Sequence, residues 1–261
     1  MTPASPRTVA RTREILQDLE AVRENLLALS DDIWAGIDRQ DLEAFDEGVR
    51  FMRSFVEKNT AFDRVATDLS ELVQQFMSVR LEESEQSGSG DQEQNERIIA
   101  ELNREEPHSI DEDFTFKRPF GFIFDGEAAT GVTTWQRLYE LICKHLFARD
   151  EALFRSLEHH ADFISNRGNH TVSSDPTPLR KAMAVGPDLY IESNLSANSI
   201  CTTIRRLFAE YGIGVETLKV FLRLDWDAGR GHVLSKKYFG NISYSTRLMP
   251  FGNCAMRESW L

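Results

Sequence analysis

Hydrophobic residues near the start of the chain follow a helical repeat. From Ile15 onward they are separated by alternating steps of four and three residues. This spacing is the stripe of an amphipathic helix or coiled coil, and it predicts a helix that ends near Trp34. The stripe consists of Ile15, Leu19, Val22, Leu26, Leu29 and Ile33. We predict that these residues mediate self-association; the alternative is that they form only an intramolecular core.

A second apolar stripe follows after a short polar break. It runs from Leu42 to Phe76 and is interrupted by Asn59 and Thr60, which indicate a kink or a polar layer. Because the connection between the stripes is short, the pattern predicts an antiparallel helical hairpin over residues 1–80. An isolated hairpin leaves much of its apolar surface exposed, so we expect it either to pack on the rest of the chain or to dimerise.

Residues 81–112 differ in composition from the segments on either side. Acidic residues, Gln, Ser and Gly dominate, which is typical of a solvated, flexible linker. Ile98, Ile99 and Leu102 fit one helical turn, but their charged surroundings predict no stable core. We therefore expect an acidic linker between the hairpin and the C-terminal half.

Apolar density returns at Phe114 and predicts a small α+β module over residues 113–223. The Asp125-Gly126 dipeptide predicts the turn of a β-hairpin. Thr133 and Gln136 stand at the spacing of a capping box, which predicts the start of a helix.

Further elements follow in the second half of this module. Residues 189–192 predict a strand, and 193–196 offer N-cap residues for a helix that Gly212 ends. A last helix is predicted to carry Leu218, Phe221 and Leu222. Residues 224–261 show no clear pattern and form a tail of unknown structure. The predicted fold class is α+β and mostly helical.

Charge is distributed unevenly along the 261-residue chain, whose formal net charge is −12. Residues 1–112 carry −14, residues 113–223 carry zero and residues 224–261 carry +2. The acidity of the first half argues against nonspecific nucleic-acid binding by the whole chain. The predicted module, in contrast, presents no net electrostatic barrier to a polyanion.

The sequence contains no motif of a phosphate-binding loop, a hydrolase nucleophile or a zinc protease. Cys143 and Cys201 lie among apolar residues, which predicts buried thiols in a reducing compartment. His159 and His160 are adjacent and do not share a helix face, so we interpret them as surface residues. We predict no catalytic residue, metal ligand or cofactor, and a non-enzymatic protein. No apolar run is long enough to span a bilayer and no signal core is present, so we expect a cytoplasmic location.

Several signals between Trp135 and Leu222 occur in a recognisable order. They include Leu-Tyr-Glu-Leu at 138–141, Phe-Ala-Arg-Asp at 147–150, a glycine loop, and Tyr-Ile-Glu-Ser-Asn at 190–194 before a helix. This order resembles the C-terminal DNA-binding domain of SeqA, a bacterial family that binds hemimethylated GATC sites and sequesters replication origins. The resemblance implies a SeqA-like fold over roughly a third of the chain. The family's layout, a self-association segment followed by a flexible linker, is similar too. The family reads DNA with an Asn-rich loop, but the matching residues 173–188 contain no Asn, so methylation specificity is not carried over.

Candidate DNA-binding residues are the polar and basic residues near the glycine turn, the following loop and the next helix start. They are Arg167, Asn169, His170, Arg180, Lys181, Asn194, Ser196, Asn198, Arg205 and Arg206. Free N–H groups at a helix start are able to receive a phosphate. The alternative for each residue is a capping or solvated surface role.

Two functions from different classes agree with these observations. We expect a non-enzymatic adaptor whose helices recruit a partner protein and form a homo-oligomer, for example in a phage-defence or restriction cassette. The alternative is a sequence- or structure-specific protein that binds duplex DNA on the chromosome. An unrecognised enzyme is a third hypothesis. Convergence of the basic side chains on the helix start at 194–198 favours DNA binding, and scatter favours the adaptor.

Overall fold

The structure is a computed structural model, and it describes residues 5–77, 86–88, 91–165 and 168–223. The predicted tail over 224–261, much of the predicted linker and Arg167 lie outside the described residues. None of the described helices has the length and hydropathy needed to cross a membrane. The elements in chain order are α1 (Pro6–Gly36), α2 (Leu42–Met77), β1 (Gln86–Ser87), α3 (Gln92–Leu102), β2 (Pro119–Phe124), β3 (Glu127–Thr130), α4 (Trp135–Arg149), α5 (Glu151–Ser156), β4 (Val172–Ser173), β5 (Ala182–Gly186), β6 (Leu189–Glu192), α6 (Ala197–Tyr211) and β7 (Leu218–Leu222).

The structure confirms the two helices predicted at the N-terminus. Ser5 caps α1 by accepting a hydrogen bond from the Thr8 N–H at 3.2 Å, and proline occupies the first helical position. Asp41 caps α2 in the same way, accepting from the Glu43 N–H at 2.9 Å. The helix α2 continues without a break through the polar pair that indicated a kink, where the Thr60 hydroxyl donates to the Val56 carbonyl.

The remaining elements form the module, which carries two antiparallel sheets among the described residues. The larger sheet has the strand order β1-β3-β2-β7, and the smaller has the order β4-β6-β5. The predicted hairpin joins β2 to β3, with Phe122 opposite Ala129 in register. Its turn residues Asp125 and Gly126 have φ values of 51° and 80°, which is the backbone that an Asp-Gly turn favours.

Helices α4 and α6 each supply six buried residues to the module core. Trp135 packs against Phe114 with ring centroids 4.6 Å apart, and Phe124 stacks on Phe208 at 4.8 Å. Ser196 caps α6 and Gly212 ends it in a left-handed conformation, as predicted. The cap of α4 is Thr134, not Thr133, because the Thr134 hydroxyl accepts from the Arg137 N–H at 3.1 Å.

The two described cysteines are buried free thiols, as the sequence predicted. Burial raises the pKa of the Cys201 thiol to about 12, and burial raises the pKa of the Cys143 thiol further still. Both groups are therefore protonated at neutral pH and unreactive.

The structure differs from prediction where part of the flexible linker was expected. Asp91 caps α3, which spans 11 residues, and the Ile98 and Leu102 side chains are fully buried against Ala128 and Phe221. The charged residues of α3 point away from this contact, so the acidic composition did not prevent a packed helix. With β1 and α3 included, the module extends from Gln86 to Arg223.

The predicted last helix is also wrong. Leu218, Phe221 and Leu222 belong to strand β7, which pairs antiparallel with β2. Their spacing fits either element, and the partner strand decides between them. The hairpin of α1 and α2 and the module belong to one compact unit over Met1–Arg223.

Candidate interaction surface

The predicted DNA-binding residues at the start of α6 are engaged in contacts within the chain. The Ser196 hydroxyl donates to Oδ2 of Asp31 on α1 at 2.6 Å, so a carboxylate already lies at this helix start. Asn198 accepts from the Phe114 N–H at 2.9 Å and donates to the Asp113 carboxylate at 2.7 Å. Both side chains therefore act as structural links between α6 and its neighbours.

The two arginines of α6 point to different neighbours. Arg205 donates to the Asp111 carboxylate at 3.0 Å, on the side of α6 that faces the loop after α3. Arg206 donates to the Asp162 main-chain carbonyl at 3.1 Å, near the turn after α5. Consecutive helical residues are separated by about 100° around the axis, so the two guanidinium groups do not form one basic face.

Three further candidates surround the carboxylate of Glu192 at the end of β6. It accepts the main-chain N–H groups of Arg180 at 2.7 Å, Lys181 at 3.2 Å and Asn194 at 2.7 Å. The Lys181 ammonium is half-buried and donates to Gln136 Oε1 at 3.3 Å. Burial and the nearby Arg23 lower the pKa of this ammonium.

The last described candidates lie at the glycine turn. Asn169 donates its main-chain N–H to the Ser165 hydroxyl at 3.0 Å, and His170 is half-buried beside Ile164. The structure thus brings together Arg180, Lys181 and Asn194 around one acid. It does not place Arg205 or Arg206 with them.

Helix α1 covers the module with a row of acidic residues that the sequence analysis missed. Asp18 pairs with Arg118 at 2.8 Å, Glu24 accepts from the Gln136 N–H at 2.9 Å, and Asp31 accepts from Ser196. The seven-residue spacing of Glu24 and Asp31 places these two on one side of the helix, whereas Asp18, six residues before Glu24, lies about 120° around the axis. Glu24 and Asp31 each meet the start of a module helix, where the positive end of the helix dipole favours a carboxylate.

Charged groups are buried where α1, α2 and the module meet. Arg23 is only 6% exposed, and its guanidinium donates to Asp63 on α2 and to Glu20, each at 2.7 Å. Glu24 is also buried, and burial raises the pKa of its carboxyl to about 8. The hairpin therefore docks on the module through polar residues and not through its apolar stripe.

As a result, three of the six predicted self-association residues are exposed to solvent. Ile15, Val22 and Leu29, which are spaced by seven residues, are 59%, 45% and 37% exposed. The alternate stripe residues Leu19, Leu26 and Ile33 are half-buried. Helix α2 has four exposed apolar residues at steps of four, three and four positions: Val65, Leu69, Leu72 and Phe76. We call these seven exposed residues the hairpin apolar surface: Ile15, Val22, Leu29, Val65, Leu69, Leu72 and Phe76.

A groove connects the two helices at the open end of the hairpin. It has a volume of about 440 Å³, and its lining residues are Thr8 and Thr12 of α1 and Leu72, Val73, Phe76 and Met77 of α2. Because the helices are antiparallel, the next turn of α1 brings Ile15 toward the part of α2 that precedes Leu72. The exposed stripes of α1 and α2 therefore lie along one side of the hairpin.

A second concavity lies between α4 and the β2–β3 hairpin, with a volume of about 430 Å³. His145 lies in it with Nδ1 3.3 Å from Glu127 and Nε2 3.4 Å from Asp125. Arg149 donates to Asp125 at 2.7 Å. These groups pair with one another across the cleft, so the arrangement links α4 to the β-hairpin.

No protein-family model, curated protein or solved structure matches the chain. Any function proposed for this chain must therefore come from its residues and their geometry.

Proposed function

We propose that the chain is a non-enzymatic adaptor that self-associates through the hairpin apolar surface and presents its module to a partner protein. One observation carries the proposal: large apolar side chains line one side of the hairpin, while the module buries most of its own. Contiguous apolar patches of this kind are typical of protein interaction sites.

A second copy of the chain is the occupant that the geometry favours. Helices of 31 and 36 residues are about 46 Å and about 54 Å long, which provides a long seam. The seven-residue spacing of Ile15, Val22 and Leu29 is the repeat by which helices pack side by side in bundles. Two hairpins that pack through these stripes form a four-helix bundle, in which each copy presents the same surface to the other.

The energetics require several of these side chains to act together. Full burial of one large apolar side chain contributes about 1.5–3 kcal/mol, whereas association costs about 4–15 kcal/mol in lost freedom of motion. The seven residues of the hairpin apolar surface, doubled by symmetry, are sufficient to offset that cost.

Contacts within the module favour a protein partner over DNA. Ser196 and Arg205, two residues expected to meet phosphate, already bond to Asp31 and Asp111. The loop that matches the DNA-reading loop of the SeqA family contains no Asn. In this proposal the module keeps a SeqA-like fold without the family's DNA site, in the setting of a phage-defence or restriction cassette.

The mass of the full-length protein in solution tests the self-association. We expect a dimer by light scattering at micromolar concentration, and a monomer for the double variant Leu72→Ser, Phe76→Ser. The matched control is Phe116→Ser, because Phe116 is also an exposed aromatic residue but lies in the module. A wild-type chain that stays monomeric at every concentration would reject the proposal.

A separate titration tests the DNA alternative. We expect the full-length protein to give no salt-sensitive change in the fluorescence anisotropy of labelled duplex DNA. Binding that weakens steeply with salt, and that Lys181→Ala or Arg180→Ala reduces, would instead indicate phosphate contacts and support the DNA-binding function.

A further inference from the structure

Three side chains able to bind a metal ion meet near the C-terminal end of α6. His160 and Asp162 lie in the segment of tight turns that follows α5, and Glu210 lies in the last turn of α6. One potential ligand atom from each residue lies within 4.8 Å of the others. The residues come from parts of the chain that are 50 positions apart, so the grouping is produced by the fold.

The distances within this group are too long for hydrogen bonds. His160 Nδ1 is 3.9 Å from Asp162 Oδ2 and 3.6 Å from Glu210 Oε1, whereas direct hydrogen bonds between such atoms measure about 2.7–3.2 Å. An ion with bonds of about 2.1 Å in tetrahedral geometry holds its ligand atoms about 3.4 Å apart. The two distances from His160 Nδ1 therefore come within about half an ångström of this value, and a small movement of the exposed side chains closes the group around an ion.

The surrounding contacts hold the three residues in position. The Phe163 N–H donates to the His160 carbonyl at 3.0 Å, and the Phe163 side chain is buried in the core. Arg206 donates to the main-chain carbonyl of Asp162 and so connects the turn to α6. This hydrogen bond does not use the Asp162 side chain. Because Glu210 projects from a helix whose opposite face is buried, its backbone position is fixed as well.

The donor set determines the kind of ion. Two carboxylates and a neutral imidazole carry a charge of −2, which matches a divalent cation. A nitrogen donor favours Zn²⁺ or Co²⁺ over Mg²⁺ and Ca²⁺, which prefer oxygen ligands throughout. We propose that His160, Asp162 and Glu210 bind one divalent transition-metal ion, with water completing the coordination sphere. This site goes beyond the adaptor function and does not depend on self-association.

Metal titration of the full-length, chelator-treated protein tests this site. We expect Zn²⁺ to bind in calorimetry and Co²⁺ to give a visible absorption band. His160→Ala and Glu210→Gln should each weaken binding by about tenfold or more. The matched control is His159→Ala, which removes the neighbouring exposed histidine and should leave the affinity unchanged. Zn²⁺ should also raise the melting temperature of the wild type and of His159→Ala, but not of His160→Ala.

Several results would overturn the assignment. A wild-type protein that binds neither ion has no such site. Equal affinity in the wild type, His160→Ala and Glu210→Gln would place the ion elsewhere in the chain. A loss in His159→Ala as large as in His160→Ala, or displacement by millimolar Mg²⁺, would contradict the proposed ligand set. Circular dichroism of each metal-free variant confirms that the fold is retained.

Discussion

The helical hairpin and the module use their side chains in opposite ways. The hairpin buries charged residues such as Arg23 and Glu24 and leaves Val65, Leu72 and Phe76 exposed. The module buries most of its aromatic residues and places most of its charges on the surface. Within one compact unit the module therefore has an apolar core of its own, whereas the hairpin leaves an apolar surface exposed. This difference supports the hairpin as the interaction element.

The strongest test of this difference between the hairpin and the module is to truncate one phenylalanine in each region. Phe208 is fully buried and stacks on Phe124, so Phe208→Ala should lower the free energy of unfolding by about 3–5 kcal/mol. Phe76 is 67% exposed, so Phe76→Ala should change the stability of the monomer by less than about 0.5 kcal/mol. Urea unfolding monitored by circular dichroism at low protein concentration measures both.

A comparable loss of stability in both variants would contradict the distinction between the regions. It would mean that Phe76 is covered within the single chain. Light scattering on the same two samples separates this outcome from an effect on self-association.

Protonation of Glu24 provides a test of how the hairpin docks on the module. Burial raises the pKa of this carboxyl from 4.5 to about 8 in the folded protein. The folded state therefore keeps a proton that the unfolded state loses above about pH 4.5. The contribution of Glu24 to stability is fully present below that pH and is lost as the pH rises toward 8.

We expect Glu24→Gln to remove this loss of stability at rising pH. Between about pH 5 and about pH 8 the free energy of unfolding of the wild type should fall by roughly 3–4 kcal/mol more than that of Glu24→Gln. The amide keeps an oxygen that is able to accept from the Gln136 N–H. Parallel slopes for the two proteins in urea unfolding across this range would show that Glu24 is not protonated at the contact. Glu14→Gln is a suitable control, because it removes an exposed carboxyl from the same helix.

Local signals in the sequence predicted much of the fold but little of the interaction geometry. The Asp125-Gly126 turn, the Ser196 cap and the Gly212 helix end follow from short-range chemistry, and the structure has all three. Strand β7 was missed because its pairing with β2, such as Val220 opposite Phe122, is fixed by residues far away along the chain.

The polar contacts of the site are even less local. Glu24 and Gln136 are 112 positions apart, and Asp31 and Ser196 are 165 positions apart. No periodicity in one sequence reports such pairs. The apolar stripe of α1 was visible because it is local, yet the sequence left open which side of the helix the module would cover. The available signal was the heptad spacing of Glu24 and Asp31 on a side of α1 that the stripe does not occupy.

The smallest expected effect compares the glycines that end α1 and α6. An added Cβ would meet no atom within 4 Å at either Gly36 or Gly212, but Gly212 has a φ of 61°. An L-residue is strained in that left-handed conformation, so Gly212→Ala should lower the free energy of unfolding by about 1 kcal/mol. Gly36→Ala should leave it unchanged or raise it by up to about 1 kcal/mol, because alanine reduces the freedom of the unfolded chain. Since space is equal at the two sites, equal destabilisation in thermal melts would show that the backbone conformation at Gly212 is not what makes glycine necessary there.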